Sequence, residues 1–408
     1  MQQRYSGRFV TATVAMTFII QAFTSFAMSV PAVIAPVAAA DLGFAPGSVG
    51  VLVSSAYVAA ILLGLAGGPL ITRFGPVRLF QFAAVFVGVG LVCGGGAHIL
   101  LAFTGVFLLG IAHGLINPAS SQVLAQSVPV SIRSMVFSIK QTGVPAGTAV
   151  SGVLLPFLLL SMHWQTALLL LSLVSLLFLP LMHPFRAEFD RKRTKSGPKL
   201  TLSNIASPLL EVCANPPLLE LAICSAIYSG VQLCLLTYLV SYLKLGLGYS
   251  LVLAGAVYSV ASVTGVFGRI LWGAVADHLF SPRKVLAGLG IAMSLCALAT
   301  ASFTPDWPLP LVFVVCAVFA LTAAAWNGVY LAEVVRFAPP ENVGRITGGT
   351  QVFTFGGAMA GPPIFGATVA LSGGYSWGYV VCAVFPMIMG LRLFLAKPAP
   401  ARTRAGTG

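Results

Sequence analysis

Two basic side chains stand inside long apolar runs. Arg269 lies in the run from Tyr249 to Trp272, and Lys140 lies in Ser138-Ile139-Lys140-Gln141-Thr142-Gly143-Val144-Pro145. A charge inside a membrane-length apolar segment is expensive, so such groups face a cavity or a partner. The guanidinium of Arg269 is a planar fork that suits a carboxylate through two parallel hydrogen bonds, and a lysine adds a compact second charge. Together these residue types describe a place for a small anion. The other polar groups able to line it are Asn117, Trp326, Asn327, Tyr330, Tyr57, Gln21 and Gln232. Glu333 and His113 are the candidates for taking up and releasing a proton. Trp326, Tyr330 and Glu333 fall at i, i+4 and i+7, and His113 precedes Asn117 by one turn, so each set shares a helix face.

Plainer roles stand beside these. Arg269 can pair with Asp277, two turns on. Lys140 can snorkel to a membrane interface or pair with Glu333. Asn117 and Asn327 can bond neighbouring helices, His113 can be a helix contact, and the Trp326 face can be packing. No nucleotide-binding loop and no nucleophile–base pair is readable, which argues against an enzyme. The seven cysteines are scattered through apolar segments without a metal-type pair and read as small hydrophobes. Neither a metal nor a cofactor is expected.

The elements that must position these groups follow from composition. The 408 residues are 58% hydrophobic and 8% charged, with mean hydropathy +0.97, against about 25% charged residues in soluble domains. A soluble fold could not cover so much apolar surface, so the solvent is a lipid bilayer. The net charge of +13 does not point to nucleic acid, because the basic residues sit in short loops between apolar runs. Spanning helices need about 20 apolar residues. Twelve stretches qualify: 9–37, 48–71, 77–97, 99–126, 134–160, 164–182, 214–243, 249–274, 284–303, 309–336, 344–371 and 374–395. The first is too long for a signal-peptide core and should remain as a helix. The fold class is therefore an all-α polytopic membrane protein.

Basic residues cluster on one side. Arg4 and Arg8 precede the first span, and Arg73, Arg78, Arg133, Arg283, Lys284 and Arg345 lie in even-to-odd loops, whereas the opposite loops hold only Lys244. Both termini are expected in the cytoplasm. The long basic stretch around 183–213 divides the chain into a bundle over 1–182 and another over 214–408. The halves repeat: Asn117 and Asn327 are 210 residues apart, as are Pro129 and Pro339. A parallel repeat of six helices is a transporter architecture with its site near mid-membrane.

The second span ends in Gly68-Pro69-Leu70-Ile71-Thr72-Arg73-Phe74-Gly75 and the eighth in Gly273-Ala274-Val275-Ala276-Asp277-His278. These segments resemble the loop pattern Gly-x-x-x-Asp-Arg-x-Gly of the major facilitator superfamily. The first copy carries Thr72 where the acid belongs, and the second keeps Asp277. The resemblance implies two pseudo-symmetric six-helix bundles and a cytoplasmic gate formed by Asp277, Gly273, Arg73, Gly75, Arg133 and Arg345, with its latch stronger on the second copy. Arg-x-x-Trp-Gly-x-Val-x-Asp over Arg269–Asp277 is similar to the helix-8 segment of oxalate/formate exchangers and monocarboxylate transporters, where the arginine binds the substrate carboxylate. The oxalate exchangers carry their lysine on helix 11, whereas Lys140 is on the repeat-related fifth span. The resemblance also implies that the fifth and eighth spans face each other, which would let Lys140 and Arg269 serve one cavity. The expected function is secondary active transport of mono- or dicarboxylates by alternating access. The expected protein is a monomer of the inner membrane, with protons as the candidate coupling ion. The alternative is a multidrug or metabolite efflux carrier.

Overall fold

The computed structural model describes residues 6–395 apart from 46–47, 97, 129–135, 137–138, 192, 194–201 and 338–342, and without the side chains of 65, 68, 125, 202–207, 335 and 343–345. Chain runs this apolar leave the backbone no water to bond, so each must satisfy its own N–H and C=O groups, and helix is the local solution. The described elements are α1 Gly7–Asp41, α2 Val49–Leu65, α3 Gly67–Phe74, α4 Pro76–Gly94, α5 Ile99–Ser127, α6 Gly143–Leu158, α7 Trp164–Leu176 and α8 Phe178–Phe189, then α9 Leu202–Cys213, α10 Pro216–Ser241, α11 Leu251–His278, α12 Pro282–Ala301, α13 Leu309–Ala323, α14 Trp326–Phe337, α15 Val343–Ser372 and α16 Tyr375–Leu395. No strand occurs among the described residues.

Every stretch expected to span holds helix. Three expected spans are two helices in series: α2 and α3 meet at Ala66, α7 and α8 at Leu177, and α13 and α14 at Ala324-Ala325. α8 and α9 also carry helix into the stretch expected as a linker. Ten helical runs among the described residues are long and apolar enough to cross a membrane, counting α7 with α8 and α13 with α14 as one run each, and Val49–Gly64 is a shorter apolar one. Large apolar side chains stand exposed along them, including Leu173, Phe267 and Ile270. A water-soluble surface would not carry such a belt, and lipid accommodates it.

The chain packs as two compact units, residues 1–200 with 249–259 and residues 201–248 with 260–408. Within the first, α1 and α6 approach so closely at Gly147 that a Cβ there would overlap the carbonyl of Ala22. Within the second, α10 and α15 meet the same way, with Gly357 against the carbonyl of Ala226. Gly147 and Gly357 are 210 residues apart, the spacing of Asn117 and Asn327. The repeat is thus carried by the packing. Close helix approach without side chains supplies van der Waals contact where no hydrophobic drive exists between helices in lipid.

Candidate functional site

In the second unit the site starts from a broken helix. α13 ends at Ala323 and α14 starts at Trp326, so the carbonyls before the break lose their partners within the helix. α11 supplies replacements. Arg269 donates from Nε to the carbonyl oxygen of Ala324 at 3.0 Å, and Trp272 from Nε1 to that of Leu321 at 3.1 Å. Gly268 faces the same Leu321 carbonyl, and a side chain there would strike it. The neighbours Phe267 and Ile270 point outward, 62% and 67% exposed. Arg269 is half-buried, and its two Nη groups have no hydrogen bond among the described residues. The alternative pairing with Asp277 is not formed: Asp277 is exposed, and no described residue pairs with it. Two turns of helix separate them, and the broken α13–α14 join offers a nearer acceptor.

The rest of the predicted set in this unit is fixed around α14. Trp326 is 1% exposed and donates from Nε1 to Gln232 Oε1 at 3.2 Å. Its ring meets Tyr330 edge-on at 5.6 Å and Tyr228 at 6.2 Å. Trp326 and Tyr330 are therefore packed wall, with Gln232 and Asn327 half-buried beside them. The Glu333 carboxylate is buried and takes Arg336 Nη1 at 2.9 and 2.7 Å. Within its own unit Glu333 thus has a basic partner at i,i+3. Sequence reasoning missed Arg336, although the spacing is one at which helix side chains meet.

In the first unit, Lys140 is 2% exposed. Snorkelling to the interface is thereby excluded. Its Nζ donates to Asn117 Oδ1 at 2.7 Å and to Gln141 Oε1 at 3.4 Å, both neutral. The acids of residues 1–200 are Asp41, Glu188 and Asp190, all at or beyond helix ends. Lys140 is thus a buried cation without a counter-charge in its unit. One turn before Asn117, His113 keeps a buried Nδ1 with no partner. Gln21 is fully buried, its Nε2 donating to Ser25 Oγ at 3.4 Å and its Oε1 unpartnered. Its Cβ sits where a Cβ on Gly143 would come within 3.2 Å, so it backs the segment that carries Lys140. Tyr57 is half-buried and makes no hydrogen bond among the described residues.

The gate residues behave differently in the two motif copies. Arg73 is exposed, its guanidinium 5.4 Å from the Phe74 ring centroid. Gly75 has φ +90° and forms the entry to α4, a backbone conformation open to glycine. Behind it, Asp190 accepts from the backbone N–H of Val77 at 3.0 Å and of Arg78 at 3.2 Å. Asp190 thus caps α4 and offers a carboxylate where Thr72 offers none. No local pattern signals this contact, which joins residues 113 apart. Gly273 has open space around it. Arg133 and the Arg345 side chain lie outside the described residues.

The first unit thus holds a buried lysine and the second a half-buried arginine, each bonded only to neutral oxygens, and no group of metal-ligating side chains occurs among the described residues. Comparisons place the chain. The hexuronate transporter of Bacillus subtilis (strain 168) is 22% identical over 387 residues, covering 90% of each chain. The gallate transporter of Pseudomonas putida is 26% identical over 388 residues, covering 87% of this chain and 85% of that one. A solved bacterial homolog of the human lysosomal transporter Spinster, inward-facing and unoccupied, shares the fold with TM-score 0.80 at 16% identity, over 96% of this chain and 97% of its own. The family profile of the Major Facilitator Superfamily matches residues 17–362; the chain belongs to that superfamily and is a multi-pass membrane transporter, not an enzyme.

Proposed function

We propose that this transporter carries small organic anions, mono- or dicarboxylates, by secondary active transport with alternating access. The observation that carries the reading is that each unit holds a basic group within an apolar segment that has no acidic partner in that unit. Lys140 bonds two amide oxygens, and Arg269 bonds one backbone carbonyl and keeps its Nη edge unused. A cation held in a low-dielectric site without a counter-ion is costly, and a visiting anion relieves that cost. Arg269 grips the carboxylate, and Lys140 supplies the second charge. The similarity to hexuronate and gallate transporters supports an anionic substrate. The half-buried amides of Asn117, Asn327 and Gln232 and the hydroxyl of Tyr57 serve as orienting groups, with Trp326 and Tyr330 as the rigid wall behind them.

Glu333 and His113 carry the coupling proton, and Asp277, Gly273, Arg73 and Gly75 work the gate. The bundles 1–182 and 214–408 are joined in sequence by the stretch 183–213 as a cytoplasmic linker, and the protein works in the inner membrane as a monomer with both termini in the cytoplasm. The test is a ligand panel on the purified full chain, followed by uptake in proteoliposomes. Galacturonate, gallate, benzoate, gluconate and hexanoate are added singly and the melting temperature is read, because a ligand of the folded state alone raises stability by mass action. A rise with at least one acid, and uptake of that acid, is expected. No shift and no uptake with any acid overturns the reading.

A further inference from the structure

The first unit holds a feature that charge alone does not account for. Two side-chain polar atoms of this unit are buried and lack any partner, Gln21 Oε1 and His113 Nδ1. Gln21 is 0% exposed. An unpaired buried acceptor is costly, so such atoms in a folded chain mark a partner that arrives later or a water. The groups share a neighbourhood. Asn117 Oδ1 is 2.7 Å from Lys140 Nζ, His113 lies one turn before Asn117 on the same face of α5, and Gln21 packs on Gly143, three residues after Lys140.

The chemistry of these atoms restricts what can meet them. A carboxylate only accepts hydrogen bonds. It satisfies Lys140 but gives nothing to an amide oxygen or an imidazole acceptor. A hydroxyl both donates and accepts. It therefore satisfies the open end of the Gln21 amide whichever way the amide is turned, and His113 in either tautomer.

We infer that Gln21 and His113 form a hydroxyl-recognition subsite, and that the substrate is a hydroxylated organic acid, a sugar acid or a phenolic acid, rather than a plain carboxylate. This rests on the reading of Lys140 as an anion-binding group. A site built to bond a substrate hydroxyl discriminates strongly against the analogue lacking it, because its own buried groups are then left unpaired.

The experiment compares matched acids on the full-length protein in detergent: gallate against benzoate, and gluconate against hexanoate. Wild type should bind the better hydroxylated acid at least tenfold more tightly than its deoxy partner. Gln21→Met, which keeps the volume and removes the amide, and His113→Leu should each reduce that ratio several-fold. Gln21→Asn, which withdraws the amide by one carbon, gives the same readout should the methionine variant fail to fold. Equal wild-type affinity for both members of each pair overturns the inference, as does a ratio that survives all three substitutions; the orphaned atoms then hold water only. Binding of none of the four acids fails the underlying anion reading instead, so the two failures are told apart.

Discussion

Arg269 Nε lies 3.0 Å from the carbonyl oxygen of Ala324, the last residue but one before α14. One donor of the guanidinium is spent on holding a broken helix, and the Nη edge remains for a ligand. Under the proposed function, structure and recognition use different atoms of one side chain. Arg269→Lys keeps the charge and loses both the anchor and the fork. It should leave the protein folded, with a modest fall in melting temperature from the unbonded carbonyl, and weaken carboxylate binding by about tenfold or more, in line with about 1.5–3 kcal/mol for a charged hydrogen bond. Calorimetry with the best acid of the panel checks it, and unchanged affinity would remove Arg269 from the site.

Lys140 and Asn117 separate charge from packing. Lys140→Gln removes an uncompensated buried cation, so the ligand-free protein should melt no lower than wild type. Anion affinity should fall, and fall further for a dicarboxylate than for a matched monocarboxylate. Asn117→Leu does the reverse to stability. It takes away the acceptor at 2.7 Å and should cost about 1–3 kcal/mol, the penalty for an unsatisfied buried group. A large stability loss in Lys140→Gln with unchanged ligand preference would make Lys140 structural.

Much of this was readable from residue order, for identifiable reasons. Spans follow from run length in a lipid solvent, and the structure places helix in each expected stretch. Arg269 and Lys140 stood out because a charge in an apolar run has few explanations. Partners were less legible. The Ala324 carbonyl becomes an acceptor only because α13 breaks there, and nothing in Thr322-Ala323-Ala324-Ala325 signals a break as a proline would. Asp190 caps α4 across a sequence separation that no local pattern reports. Burial of Trp326 and Tyr330 depends on the neighbours of α14, which helical periodicity alone cannot supply.

Two glycines should part company under the same substitution. Gly357→Ala drives a methyl into the Ala226 carbonyl; overpacking of this kind costs about 1–3 kcal/mol. Gly273→Ala meets nothing within 4 Å and should stabilise α11 by roughly 0.5–1 kcal/mol through lost chain entropy. Thermal melts of both variants decide this. A Gly273→Ala protein that is stable, binds acid normally and transports slowly would support Gly273 as a gate residue, whereas normal transport would remove it from the gate.

Asp190 gives a pH-dependent prediction outside the spans. Burial, the largest influence, holds its carboxyl above the ordinary aspartate value, against the opposing pull of the Val77 and Arg78 N–H groups and of Arg186 and Arg193. A carboxyl whose folded value is raised binds its proton more tightly in the folded state. Its contribution is therefore fully present below the unfolded-state value and is lost as pH rises through the higher folded one. Asp190→Asn keeps an acceptor for the end of α4 but does not titrate. The stability of wild type relative to Asp190→Asn should accordingly decline on going from acid pH through the aspartate range toward neutrality, and then level off. Asp190→Ala loses the cap altogether and should cost about 1 kcal/mol at any pH. Chemical-denaturation midpoints of the three proteins at stepped pH test both parts. A wild-type advantage over Asp190→Asn that grows with pH would mean that the two backbone N–H groups outweigh burial and hold the carboxyl below its ordinary value.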